Sequence, residues 1–246
     1  MRDYQKELEG RVAFIKEVLA ESAAKGIVYG NSGGKDSALV GILCKLACEN
    51  TEGVMLPCES QRNFGSDMDD GRAVAEQFGI QTRTVDLTAQ KALLLESLAA
   101  VTEPTAAAVS NIAPRLRMIT LYAIGASEGR LVAGTGNRSE RHMGYFTKWG
   151  DGACDFNPIA DLTVTEILEF LRFLKAPMSI IEKPPSAGLY EGQTDEADMG
   201  VTYKAIDHYL ETGEANEADL TIIARYHRTS AHKRAPIRMY EAEKES

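Results

Sequence analysis

The hydrophobic and polar positions of the chain follow two alternating patterns. Over residues 3–25 the apolar side chains recur every three or four positions, which predicts an amphipathic helix. Its apolar stripe consists of Leu8, Val12, Ile15, Val18 and Leu19. Short apolar or alternating runs at 27–29, 53–56, 80–86 and 131–133 are bounded by turn residues and predict β-strands. The helical spacing returns between them, at about 36–49, 66–78, 89–100 and 114–127.

Strand and helix therefore alternate four times within the first 135 or so residues. This order predicts an α/β fold, with a parallel sheet of about five strands covered by helices on both faces. Ligands of such sheets bind beyond the carboxyl ends of the strands. We expect Gly30–Ser37, Pro57–Ser66 and Gly134–Glu140 to meet at one crevice, because each segment follows a predicted strand.

Local signals set the expected helix boundaries. Ser66 with Asp69, and Thr163 with Glu166, have the spacing of a capping box. Pro114 suits the first turn of a helix. The Pro- and Gly-containing stretch 182–198 has few apolar residues and is a candidate mobile lid, and two short helices are expected at about 200–211 and 215–227.

Gly30–Ser37, with the sequence G-N-S-G-G-K-D-S, lies between a predicted strand and a predicted helix. A glycine-rich turn at a helix start directs backbone N–H groups toward an anion, and the helix dipole adds to the attraction. The loop is not a Walker A motif, because Asp36 follows the Gly-Lys pair, and its glycines lack the dinucleotide-binding spacing. Its S-G-G-x-D-S core resembles the pyrophosphate loop of N-type ATP pyrophosphatases. A carboxylate beside phosphates implies an intervening cation, so Asp36 indicates Mg²⁺.

Charge and composition narrow the function classes. The chain has 246 residues, 27 of them basic and 36 acidic, for a net charge of −9, which disfavours bulk nucleic-acid binding. No apolar stretch approaches the length of a membrane span, so we expect no membrane partner, and the N-terminus has no apolar signal core. The four cysteines form no C-x-x-C pair. The expected location is the cytoplasm.

The segment 134–161 contains glycines, charged residues and aromatic residues such as Tyr145, Phe146 and Trp149 in one long polar stretch: G-T-G-N-R-S-E-R-H-M-G-Y-F-T-K-W-G-D-G-A-C-D-F-N-P-I-A-D. Together with the Gly30–Ser37 loop, with K-P-P-S-A-G-L-Y-E-G-Q-T-D-E at 183–196 and with His232-Lys233, it closely resembles the ammonia-dependent NAD synthetases. The resemblance covers nearly the whole chain. It implies one domain over 1–246 with a Rossmann-like adenine nucleotide alpha-hydrolase architecture: an N-terminal helix (1–25), an ATP pyrophosphatase core (26–240) and a tail (241–246), without a glutaminase domain.

The resemblance also implies a reaction. Enzymes of this family amidate deamido-NAD (nicotinic acid adenine dinucleotide) with ammonia, in the last step of NAD biosynthesis. ATP converts the nicotinate carboxylate to an acyl-adenylate and pyrophosphate leaves. Ammonia then displaces AMP. The cosubstrate is ATP, the cofactor is Mg²⁺, and the implied assembly is a homodimer with deamido-NAD near the subunit interface.

Site residues follow from the matching positions. Asp36 and Glu140 correspond to the catalytic magnesium ligands. The ATP contacts correspond to Gly30, Asn31, Ser32, Gly33, Gly34, Lys35, Asp36, Ser37, Thr135 and Ser186. The deamido-NAD contacts correspond to Arg115, with Arg117 as an alternative, and to Lys148, Asp155, His232 and Lys233.

Two positions depart from the family pattern. Val164 stands where many members have a lysine that contacts ATP phosphates, and Gly188 stands where many have an aspartate. Lys35 or Lys183 could supply the missing positive charge. Two other functions stay open at this point: another pyrophosphatase-loop enzyme, such as a GMP-synthetase-type amidating domain or a tRNA-modifying enzyme, and a nucleotide-binding regulator without turnover.

Overall fold

The computed structural model describes residues 2–59, 64–183 and 194–240. Its first half alternates helices and strands in this order: α1 Tyr4–Ser22, β1 Gly26–Gly30, α2 Lys35–Ala47, β2 Thr51–Met55, α3 Ser66–Phe78, β3 Gln81–Thr84, α4 Thr88–Ala99, α5 Ala106–Ser110, α6 Ile112–Glu128 and β4 Arg130–Ala133. The second half is helical: α7 Arg138–Met143, α8 Val164–Phe173, α9 Met178–Ile181, α10 Asp195–Met199, α11 Tyr203–Thr212, α12 Glu217–Thr229 and α13 Ala231–Arg234. Within the described ranges, no helix has the length and apolar character to cross a membrane.

The strands form a parallel sheet in the order β3-β2-β1-β4. This confirms the predicted fold class, with four strands in the described residues where about five were expected. A single parallel bridge from Ala133 to Phe156 lies where a further strand would add to the β4 edge. Pro158 follows closely, and proline has no N–H to donate to a sheet ladder.

The two faces of β1 explain why helices cover the sheet on both sides. Ile27 and Tyr29 point into a core shared with α1, α2 and α8, whereas Val28 points into a second core against α6. A third cluster lies beyond the sheet, where Met143, Tyr203 and other side chains of α7, α11 and α12 pack together. The predicted arrangement of helices on both faces is therefore confirmed.

Three helix starts test the capping predictions. Thr163 and Glu166 form the expected capping box at α8. The capping box predicted for Ser66 and Asp69 is wrong, because Gly65 is the N-cap of α3 and no side chain caps it. Helix α6 begins at Ile112, two residues before Pro114, which therefore still lies within the first turn, where its missing N–H has no helical partner to lose.

Candidate functional site

A cavity of about 640 Å³ opens at the carboxyl ends of β1 and β4. In the sheet order, β1 lies between β2 and β4. Strands β2 and β3 are added on one side of β1 and β4 on the other, so the order of strand addition switches sides at this position. All of Gly30–Ser37 lines the cavity, as do Pro57, Thr135 and Glu140. The expected meeting of three loops is thus seen for the described residues, and positions 60–63 lie outside them.

The phosphate-loop candidate is held in shape by its own side chains. Asn31 accepts a 3.3 Å hydrogen bond from the Gly33 N–H and donates a 3.0 Å bond to the carbonyl of Gly71 in α3. The hydroxyls of Ser32 and Ser37 lie 3.0 Å apart. Asn31 therefore positions the loop against α3. The contact between the two serine hydroxyls joins residues near the two ends of the loop.

Gly33 occupies a position that only glycine fits. Its φ of +67° is left-handed, and a Cβ added there would lie 1.9 Å from the carbonyl oxygen of Asp67. Helix α2 starts immediately afterwards with Gly34 as its N-cap and no side-chain cap. The first-turn residues of α2 line the cavity and their N–H groups have no capping side chain, which suits an anion such as a phosphate.

Asp36 and Glu140 are joined through one residue. Asn137 Nδ2 donates a 3.0 Å hydrogen bond to Asp36 Oδ1, while Asn137 Oδ1 accepts a 2.9 Å bond from the Glu140 backbone N–H. Glu140 Oε2 in turn accepts a 3.1 Å bond from the Asn137 N–H and completes a capping box at α7. Asn137 thus connects the two predicted carboxylates, although Asp36 and Asn137 are 101 residues apart in the sequence.

The ionised form of Glu140 is unfavourable at this position. Burial, with repulsion from Asp36, raises the pKa of Glu140 well above its ordinary value. Oxygen ligands of this kind suit Mg²⁺. Among the described residues, no group of three or more His, Cys, Asp or Glu side chains is arranged to hold a metal. In the usual magnesium arrangement, one or two carboxylates act together with substrate phosphates.

Two lysines at the loop are already paired. Lys35 Nζ lies 2.9 Å from Asp36 Oδ2. Lys183 Nζ lies 2.7 Å from Asp67 and 2.6 Å from Asp70, and donates a 3.2 Å bond to the Gly33 carbonyl. Val164 is not exposed beside the Gly30–Ser37 loop. Only 4% of the residue is exposed, and it packs in the third cluster.

Two further residues at the site, Asp195 and Asn137, were not among the predicted contacts. Asp195 lines the cavity and accepts a 3.0 Å hydrogen bond from the Tyr203 hydroxyl. Asn137 links the two carboxylates, as described above. Its signal was present in the sequence, since Asn137 and Glu140 have capping-box spacing directly after a strand-end loop.

The predicted deamido-NAD residues separate into three groups. Lys233 lines the cavity and donates to the carbonyls of Gly144 and Phe146. Arg115, Lys148 and His232 form a chain outside the cavity lining, in which Arg115 donates to the Lys148 carbonyl at 3.2 Å and Lys148 Nζ to the His232 carbonyl at 2.7 Å.

Asp155 stands apart from these residues, because its carboxylate accepts a 2.8 Å bond from the Val132 N–H at the sheet edge. Arg117, the alternative to Arg115, lines the cavity and donates to the Leu56 carbonyl at 3.0 Å. Ser186 and Gly188 lie outside the described residues.

Comparisons with known proteins agree with the motifs. The family model described as NAD synthase matches residues 7–244. The NH(3)-dependent NAD(+) synthetase of Carboxydothermus hydrogenoformans is 46% identical over 94% of this chain and 96% of its own length. An NMN synthetase structure from Francisella tularensis matches with a TM-score of 0.92 and 34% identity, covering 98% of this chain and 100% of that one.

A second solved structure is that of an NAD synthetase. The NH3-dependent NAD synthetase of Campylobacter jejuni, in complex with nitrate, matches with a TM-score of 0.80 and 27% identity, over 98% of this chain and 100% of that one. The family model covers most of the chain, and the Carboxydothermus relative aligns with this chain over nearly its full length. The chain therefore belongs to the NAD synthase family.

Proposed function

We propose that the protein is an ammonia-dependent NAD synthetase, a carbon–nitrogen ligase that amidates deamido-NAD using ATP. The observation that supports this most directly is the Asp36–Asn137–Glu140 connection beside the Gly30–Ser37 loop. The loop is the candidate phosphate-binding turn, and the connected carboxylate pair lies at the same cavity. The activity of the curated relatives agrees with this geometry.

The nicotinate carboxylate is a poor electrophile, so the first step activates it. Its oxygen attacks the α-phosphorus of ATP, the bond to the β-phosphate oxygen breaks, and pyrophosphate leaves. Ammonia then attacks the acyl carbon of the mixed anhydride, loses a proton and displaces AMP. No protein nucleophile is needed, so the residues of the chain act by positioning and charge.

The proposed ATP site consists of Gly30–Ser37, Thr135 and Ser186. The loop hydroxyls and the N-terminus of α2 would hold the phosphates. Asp36 and Glu140 would hold Mg²⁺, which when bound neutralises negative charge on the phosphates. For the nicotinate substrate we favour Lys233 and Arg117, because both line the cavity, over the exposed Arg115. Lys148, Asp155 and His232 remain predicted contacts.

A homodimer remains part of the proposal. Helices α4 and α6 pack against each other and expose apolar side chains, among them Leu93 at 63% and Ile119 at 66%. Exposed apolar surface of this kind marks candidate interfaces. The Arg115–Lys148–His232 chain begins on α6, so a partner docked there would lie close to these predicted substrate contacts. A cytoplasmic location likewise remains a prediction.

The direct test uses purified protein with deamido-NAD, ATP, Mg²⁺ and an ammonium salt, and follows NAD and AMP together. We expect equal amounts of both products. Absence of NAD above a no-enzyme control would overturn the proposal. Replacing ammonium by glutamine tests the nitrogen source, and little or no product is expected.

A second candidate substrate comes from the 0.92 TM-score to the Francisella NMN synthetase, against 0.80 for the Campylobacter NAD synthetase. The same amidation on a mononucleotide would convert nicotinate mononucleotide to NMN. Running the assay with each acid at matched concentrations decides between them. A higher kcat/KM for the mononucleotide would assign the chain to NMN synthesis.

A further inference from the structure

Lys35 lies where a positive charge is unfavourable. It is the first residue of α2, at the positive end of the helix dipole. Only 6% of the residue is exposed to solvent. Lysines are rarely buried to this extent unless they are paired, because removing an ammonium from water is costly. The neighbours of Lys35 must therefore compensate for both effects.

Acidic groups surround the ammonium. Lys35 Nζ lies 2.9 Å from Asp36 Oδ2 and 5.5 Å from the ring centroid of Tyr203, whose hydroxyl donates to Asp195. Attraction by Asp36, Glu140 and Asp195 offsets the cost of burying this ammonium. Two of these three carboxylates are the proposed magnesium ligands.

We propose that Lys35 is a resident counter-cation of the Asp36–Glu140 pair, and that a divalent cation displaces it when ATP binds. This inference rests on the proposed function, because that proposal is what identifies Asp36 and Glu140 as metal ligands. Without nucleotide, a metal ion must compete with the ammonium for Asp36. Lys35 therefore weakens metal binding to the free protein.

The displaced ammonium has an available partner in the nucleotide. Lys35 belongs to the phosphate-loop candidate, and its flexible four-carbon stem can turn toward the polyphosphate. The other two positions considered for a phosphate-binding cation are less suited: Val164 is an apolar residue packed in a core, and Lys183 is held by Asp67 and Asp70. Nucleotide and metal should therefore bind cooperatively, because each removes a partner from the Lys35–Asp36 pair.

The test measures Mn²⁺ binding to the full chain by electron paramagnetic resonance, with Mn²⁺ replacing Mg²⁺. Lys35→Gln and Lys35→Met remove the charge, and the methionine suits the buried stem if the glutamine variant folds poorly. Lys35→Arg keeps the charge. Lys45→Gln is the matched control, since Lys45 lies on the same helix but pairs with Glu49. Circular dichroism and thermal melting establish that each variant is folded.

Without nucleotide, Lys35→Gln and Lys35→Met should bind Mn²⁺ about tenfold more tightly than the wild type, a change of about 1.4 kcal/mol. Lys35→Arg and Lys45→Gln should bind it like the wild type. Adding α,β-methylene-ATP, which resists cleavage at the bond that the reaction breaks, should strengthen Mn²⁺ binding strongly in the wild type and much less in Lys35→Gln.

Two results would overturn the inference, and they differ in what else they affect. If the uncharged variants bind Mn²⁺ no more tightly than the wild type, while the wild type binds it with the analogue present, only the role of Lys35 is wrong. If neither the wild type nor any variant binds Mn²⁺ with the analogue, the proposed metal site fails as well.

Discussion

Asn137 donates its side-chain amide to Asp36 Oδ1 at 3.0 Å, and this bond joins the loop after β1 to the loop after β4. The other end of the same amide caps α7 by accepting from the Glu140 N–H. One buried side chain therefore fixes both the helix that presents Glu140 and the orientation of Asp36. Mutants can separate its role in the site from its role in folding.

Asn137→Ala should reduce both stability and turnover. Loss of an N-cap lowers the free energy of unfolding by about 1–2 kcal/mol. Turnover should fall further than this loss explains, because Asp36 loses the donor that orients it. Urea unfolding and the NAD-forming assay at saturating ATP measure the two effects.

Thr163→Ala is the matched control for this prediction. Thr163 is also buried and forms a capping box, at α8, but it does not contact the carboxylate pair. A similar loss of stability with unchanged turnover is expected. Equal turnover losses in the two variants would show that Asn137 acts on activity through stability alone.

Asp36→Asn should abolish most turnover while preserving the fold. The amide has the shape of the carboxylate and can still accept from Asn137, but it lacks the charge needed beside Mg²⁺ and phosphate. We expect kcat/KM to fall at least about 100-fold. Asp3→Asn, at the N-cap of α1, makes the same exchange far from the site and should leave turnover unchanged. Near-wild-type turnover of Asp36→Asn would contradict the metal assignment.

His142 should make the protein less stable in mild acid. Burial, together with the nearby His227, Arg234 and Arg138, lowers its pKa to about 4. The unfolded chain therefore binds a proton more readily than the folded one. The contribution of His142 to stability is complete above about pH 6.5 and is lost as the pH falls toward 4.

The variant His142→Gln should flatten the dependence of the urea midpoint on pH between 7 and 5. The exposed His208 offers the matching control, and His208→Gln should keep the wild-type slope. Because His142 is only partly buried, the change will be smaller than the full pKa difference suggests. An unchanged slope in His142→Gln would rule out this residue as a source of acid sensitivity.

Ile119→Arg should weaken the proposed dimer. Ile119 is 66% exposed on α6, and a guanidinium there would be desolvated on association. Light scattering after size exclusion should show a shift toward the monomer. Leu46→Arg, on the exposed side of α2, introduces the same group elsewhere and should leave the mass unchanged. A wild-type protein that is monomeric at micromolar concentration would contradict the prediction directly.

The sequence was sufficient for the approximate positions of the strands along the chain and for their parallel direction. The reason is that the pattern of β1, with Ile27 and Tyr29 alternating with Val28, is set by burial on two faces. Helix ends were less predictable. The start of α3 at Gly65 depends on how the chain leaves the preceding loop, and the spacing of Ser66 and Asp69 contains no information about this.

The site was predictable where one strand end determines position, as for Gly30–Ser37 and Glu140. It was less predictable for Asp195, which reaches the cavity from a segment of the helical second half whose placement depends on tertiary packing. The same difficulty applies to Arg115 and Arg117. They are only two positions apart on one helix, yet Arg115 is exposed and Arg117 lines the cavity.

Gly33 has a consequence for how this loop could change over evolutionary time. Its left-handed backbone and the 1.9 Å approach to Asp67 both exclude a side chain, and neither depends on ATP. A descendant that had lost all ligase activity would still unfold or rearrange if this glycine were replaced. Gly33 is thus required by the fold itself, whereas the proposed role of Asp36 makes its loss the expected mark of a descendant without turnover.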